Sequence, residues 1–169
     1  ATGGVGSANP PTIDTSVLGT NTYYVSETNN LGCESLRTAI TVTIDDTPSV
    51  SLTSNGPVCS GSDARFIFSG NPGAIVTYKL NSGADTNITL SSSGTFSVTI
   101  PNVSSDQTIN LVKVNNTNCE IFLSTTEIVT VEPIPMMPSA TSPVIYCQAD
   151  ITSALTASGT DIKWYLASS

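Results

Sequence analysis

Asn115-Asn116-Thr117-Asn118-Cys119-Glu120 has a counterpart in Asn29-Asn30-Leu31-Gly32-Cys33-Glu34, with the two cysteines 86 positions apart. Three further echoes keep nearly the same offset. Pro57-Val58-Cys59 returns as Pro143-Val144-Ile145-Tyr146-Cys147, 88 positions on at cysteine. Val76-Thr77-Tyr78-Lys79-Leu80 returns as Ile162-Lys163-Trp164-Tyr165-Leu166 after 86, and Thr41-Val42-Thr43-Ile44 as Ile128-Val129-Thr130-Val131 after 87. Four echoes in one order at one period mark a tandem array, which constrains the fold more than any single motif. In 169 residues that period leaves one complete unit and two incomplete ones. The expected division is 1–46 (C-terminal half of a repeat), 47–132 (a complete repeat) and 133–169 (a linker and the N-terminal half of the next). The breaks are Asp45-Asp46-Thr47-Pro48 and the proline-rich, extended Glu132-Pro133-Ile134-Pro135-Met136-Met137-Pro138.

The local pattern is strand throughout. Short β-branched and aromatic runs alternate in polarity, as in Ile40, Val42, Ile44 against Thr41, Thr43. Within 47–132, runs at 49–53, 64–68, 75–80, 86–90, 95–100, 108–114 and 120–131 are separated by turn signals such as Asn55-Gly56-Pro57 and Gly70-Asn71-Pro72-Gly73. The inward faces are expected to be Ala64/Phe66/Phe68, Val76/Tyr78/Leu80, Phe96/Val98/Ile100 and Ile109/Leu111 with Val112 and Val114. Seven such strands predict an all-β sandwich of Greek-key type. Further strands are expected at 22–26 and 39–44, and at 144–147, 153–157 and 161–166. No stretch carries a helical period. Joined head to tail, the two incomplete ends would complete one sandwich, between neighbouring chains or within one.

Charge limits the partners. Five Lys+Arg against thirteen Asp+Glu give a net charge of −8, which argues against nucleic acid and anionic lipid. No apolar run is long enough for a membrane helix, so no membrane insertion is expected. The first residue falls inside a repeat, so any targeting signal is expected to lie elsewhere.

The chain holds four Cys and no His. The cysteines are too widely spaced for a zinc site, which favours disulfides and an oxidising, extracellular compartment. Cys59 and Cys119 are expected to pair within the complete unit. The loop of about 60 residues would make that bridge worth about 4 kcal/mol. Cys33 and Cys147 are expected to bond to neighbouring units or to each other across chains.

Without His, neither a Ser-His-Asp triad nor a Cys-His pair can be built. Asp45, Asp46, Asp63, Asp85 and Asp106 fall in turns, which predicts solvated or capping carboxylates; Asp45-Asp46 reads as a polar hinge rather than a calcium site. No phosphate-cradling loop is present. The expectation is a non-enzyme with no cofactor and no metal. Trp164, the single tryptophan, shares a face with Ile162 and Leu166 and is expected in a core; exposed instead, it would form with Tyr24 and Tyr165 a candidate ligand-contact strip.

The segments Thr20–Ser26, Gly32-Cys33-Glu34-Ser35 and Arg37–Ile44 resemble the second half of the Ig-like repeats of Bacteroidetes secreted surface proteins. Lys163-Trp164-Tyr165 with Cys147 upstream resembles the first half. Val58-Cys59-Ser60-Gly61, Val76-Thr77-Tyr78 and Asn118-Cys119 are similar to the companion repeat. The resemblance covers nearly the whole chain and is strongest to the SprB-type gliding-motility adhesins. It implies tandem Ig-like sandwiches and cell-surface or extracellular display. It also implies a structural role in an adhesin filament for adhesion or gliding motility, with neighbouring repeats as partners and surface polysaccharide as a candidate one. The alternative is a carbohydrate-binding accessory module of a secreted polysaccharide-degrading enzyme.

Overall fold

The computed structural model describes residues 6–166, and among these it contains strands and no helix. The expected join of residues 167–169 to residues 1–5 lies outside the described residues. The first hairpin pairs β1 (Gly19–Val25) with β2 (Thr38–Ile44). The central span carries β3 (Val50–Ser54), β4 (Val58–Cys59), β5 (Ala64–Gly70), β6 (Ile75–Leu80), β7 (Asp85–Thr89) and β8 (Thr95–Ile100). It continues with β9 (Gln107–Asn115), β10 (Glu120–Phe122), β11 (Thr126–Val129) and β12 (Val131–Glu132). Beyond it only β13 (Ser139–Ala140) and β14 (Ala157–Ser158) form, as one short antiparallel pair.

The central span is a two-sheet sandwich. One sheet has the order β3-β5-β8; the other runs β10-β9-β6-β7, with β11 also on β9. Alternation decides which face is buried. Ala64, Phe66 and Phe68 of β5 are fully buried, and so are Val76 of β6 and Ile109, Val114 and Val129 of the second sheet. These residues form one apolar cluster that also takes in Leu52, Tyr78, Ile88, Leu90 and Leu111, with the Phe68 and Tyr78 rings 5.2 Å apart. Each large side chain removed from water here stabilises the fold by about 1.5–3 kcal/mol.

β9 breaks the simple period. Tyr78 faces Leu111 but Thr77 faces Lys113, so Val112 is an extra, bulged residue. A bulge shifts the alternation by one. That is why Ile109, Leu111 and Val114 point inward while Val112 is only half-buried. Phe96 departs from the expected inward pattern: it is exposed on β8, although it faces buried Phe68 in the strand register. Gly94, with φ +75°, holds the turn before β8; a Cβ there would meet the Gly70 carbonyl oxygen at 2.2 Å.

Of the strands expected at 144–147, 153–157 and 161–166, none forms over its length; only Ala157 enters a strand, in the short β13–β14 pair. A strand needs a partner ladder; β13–β14 keeps a remnant of the β3–β5 pair, Ala140↔Ala157 matching Ser51↔Ser69, whereas no strand among the described residues pairs with 162–166 as β9 pairs with β6. For the same reason Trp164 is not a core residue: it is 59 % exposed.

Candidate functional site

The central sandwich has two poles, and its polar residues are gathered there. At the first, the chain arrives through Asp45 and Asp46. The Asn116 amide nitrogen donates to the Asp46 carbonyl oxygen at 2.8 Å, Asn118 donates to the Asp45 carboxylate, and Asn71 donates to the Asp46 carboxylate at 3.4 Å. Ser49 donates from its backbone N–H and its hydroxyl to the Asn71 side-chain oxygen at 2.8 and 3.0 Å. Asp45-Asp46 is thus clasped by amide side chains.

The second pole carries the departing chain. Val58 N–H donates to Thr130 O at 3.0 Å and Ser60 N–H to Glu132 O at 2.8 Å, across the parallel β4–β12 pair. The Asp106 carboxylate accepts from Val131 N–H at 2.7 Å, and the Asp63 carboxylate accepts from Asn102 N–H at 3.1 Å. Asp85 pairs with Lys79 at 3.5 Å. The turn acids therefore cap backbone or meet a lysine, and they do not converge. Among the described residues no three His, Cys, Asp or Glu side chains come together in a way that would hold a metal ion.

The poles also overturn the expected Cys59–Cys119 bridge. Cys119 precedes β10 beside Asn115 and Asn116, at the first pole; Cys59 lies beside Glu132, at the second. The seven residues of β5 run between the two ends, a rise of about 20 Å. A disulfide needs Cα atoms within about 7 Å. All four cysteines are free thiols: Cys33, Cys59 and Cys147 exposed, Cys119 half-buried. Sequence spacing placed Cys59 and Cys119 before strands, but it did not reveal that these strands start from opposite ends.

The structure repeats where the sequence does. All four β9–β11 pairs have counterparts in β1–β2: Gln107↔Val129 becomes Asn21↔Val42, and Asn110↔Thr126 becomes Tyr24↔Ala39. In the turns that follow β9 and β1, one asparagine caps the cysteine. The Asn116 side-chain oxygen accepts from Cys119 N–H at 2.8 Å and from Asn118 N–H at 3.0 Å. The Asn29 oxygen accepts from Cys33 N–H at 2.9 Å and from Leu31 N–H at 3.0 Å. The repeated Asn-Asn pairs are plain in the sequence but their capping role is not; an Asn two residues before the next turn amide is the signal for it. Ser62 N–H bonds to Cys59 O at 3.0 Å, as Asp150 N–H does to Cys147 O at 3.1 Å. The Gly56-Pro57 and Ser142-Pro143 peptides are both cis.

The three aromatic candidates are not brought together. Tyr24 lies on the wall of a groove of about 570 Å³ with Pro10, Pro11, Glu34 and Arg37. Trp164 lines a smaller one of about 150 Å³ with Tyr146 and Leu155, and Tyr165 is 84 % exposed. Glu34 accepts from Ser26 and from Arg37 at 2.6 and 3.1 Å; these two bonds, with the charge of Arg37, hold its carboxyl below the usual glutamate range. Burial raises the Tyr78 phenol.

No family model matches the chain, and no curated protein is significantly similar to it. No helix among the described residues is long and apolar enough to cross a membrane.

Proposed function

We propose that this chain is a repeat segment of a cell-surface adhesin filament, a non-enzymatic spacer in a string of β-sandwich units that carries an adhesive tip away from the cell. The observation that carries the reading is the polarity of the central unit. The chain joins it at one pole, beside Asn116, and leaves from the other, beside Cys59. Units of that kind string lengthwise, and tension applied to the chain runs along the strands. The period in sequence and hydrogen bonding supports a reading in which neighbouring repeats are the partners. A surface rich in Ser, Thr and Asn, with a net charge of −8, suits extracellular exposure. The function itself, the family and the surface location rest on the sequence resemblance.

Gold-labelled antibody against this chain, applied to intact cells of the source organism, tests the reading. Label standing off from the cell outline, together with loss of adhesion when the gene is deleted, is the expected result. Label found only after the cells are permeabilised would end the proposal. The carbohydrate-module alternative gains from the exposure of Trp164 and Tyr165 but loses from their separation from Tyr24. A glycan array with the intact chain decides it.

A further inference from the structure

The chain holds one Asn-Gly pair, Asn55-Gly56, directly after β3 at the second pole. In a flexible chain such a pair is open to attack by its own backbone, because glycine has no Cβ to shield its nitrogen. The Gly56 nitrogen gives up its proton to a base in solution and bonds to Asn55 Cγ. The Cγ–Nδ2 bond breaks, ammonia leaves, and a five-membered succinimide ring remains. Water then opens the ring at either carbonyl, giving aspartate or isoaspartate. Asn55 is exposed, so water and base reach it.

The fold nevertheless holds Asn55 out of that reaction. Its Nδ2 donates to Asp63 O at 3.0 Å, and its Oδ1 accepts from Arg65 N–H at 2.8 Å. Its backbone N–H donates to Arg65 O at 3.1 Å. Side chain and backbone are both tied to the start of β5, so the carboxamide cannot swing toward the Gly56 nitrogen without breaking both of its bonds. Gly56 is packed in turn: a Cβ there would come within 3.0 Å of Val129 Cα and 3.4 Å of Thr130 N. Both reacting groups are fixed while β3, β5 and β11 stay in place.

We propose that Asn55 is a modification site gated by the fold. It is protected while the central unit is closed and converts to aspartate and isoaspartate while the unit is open. Conversion also weakens the unit that re-forms. A carboxylate has no proton to donate to Asp63 O and sets a negative charge against that carbonyl. Isoaspartate adds a backbone methylene to the turn that leads into β4. An opening of the unit can therefore leave a permanent chemical mark. This inference needs only the central unit and stands apart from the adhesin reading.

Peptide mapping tests it. Trypsin cuts after Arg37 and Arg65, and the 38–65 peptide contains Asn55 and no other Asn or Gln, so a change from amide to acid in it reports this site alone. The intact chain and the isolated 38–65 peptide are aged side by side in mildly alkaline reducing buffer, below the melting temperature, and analysed by mass spectrometry. With two side-chain hydrogen bonds to break, the intact chain should convert more slowly than the peptide by about tenfold or more. Near the melting transition, Gly94→Ala should speed conversion at Asn55, because Gly94 lies beside Gly70 at the opposite pole and acts on Asn55 only through opening. Asn55→Asp should melt below wild type. Equal rates in chain and peptide would overturn the proposal, as would a peptide that does not convert. So would a Gly94→Ala rate equal to that of wild type near the transition, or an Asn55→Asp variant as stable as wild type.

Discussion

The backbone N–H of Cys119 donates to the side-chain oxygen of Asn116 at 2.8 Å, and the same residue fastens the incoming chain through Asp46 O. One amide side chain thus shapes a turn and ties the sandwich to the segment before it. Replacing Asn116 with Ala removes three hydrogen bonds, each worth about 0.5–1.5 kcal/mol net. Part of that is recovered by water at this exposed pole. Urea unfolding of the intact chain should show the central unit less stable by about 1–3 kcal/mol.

Separation of Cys59 and Cys119 to opposite poles predicts chemistry as well as shape. Under non-reducing conditions, peptide mapping of the monomer should find no Cys59–Cys119 bridge, and reductant should leave the melting temperature of the monomer unchanged. Alkylation of the native protein should label Cys59 faster than half-buried Cys119. A Cys59–Cys119 peptide would contradict the strand arrangement itself.

Gly94 is a position where no side chain fits. Its φ is +75°, and a Cβ would approach the Gly70 carbonyl oxygen to 2.2 Å. Gly94→Ala should cost about 1–3 kcal/mol from backbone conformation alone, and the clash adds to it. Thermal melts should show the loss, whereas Gly61→Ala, with open space around its Cβ, should show only the conformational part.

Tension between the poles shears the parallel β4–β12 pair, because both of its strands lie along the line of pull. Val58 N–H to Thr130 O and Ser60 N–H to Glu132 O are among the hydrogen bonds that cross it. Ser60→Pro removes one donor. In single-molecule pulling of the central unit from its two ends, the variant should unfold at lower force than wild type. An unchanged force would place the resistance elsewhere.

The first hairpin has its own dependence on pH. Glu34 is held below its ordinary value by Ser26 and Arg37, so its folded carboxyl stays ionised to lower pH than the unfolded one. A depressed carboxylate contributes stability that is present above the unfolded value, near 4.5, and is lost as pH falls through the folded value. Amide exchange in residues 26–37 should quicken as pH falls below that value, after correction for intrinsic rates. Glu34→Gln should remove the excess.

Much of the fold was legible in the sequence. Alternation in Ala64-Arg65-Phe66-Ile67-Phe68 fixes which side chains point inward, and the 86-residue period announces that the turn around Cys33 is built like the turn around Cys119. These are local properties: side chains in a strand alternate, and an asparagine reaches its own turn. What tertiary structure alone decided is non-local. The bulge at Val112, the exposure of Trp164 and the placement of Cys59 opposite Cys119 depend on which strands lie beside which. A strand is stable only in a ladder, so residues 162–166, with the pattern of β6 but without β9 beside them, do not become one. Faces and repeat follow from local pattern; pairing between distant segments sets the ends, the edges and the fate of the cysteines.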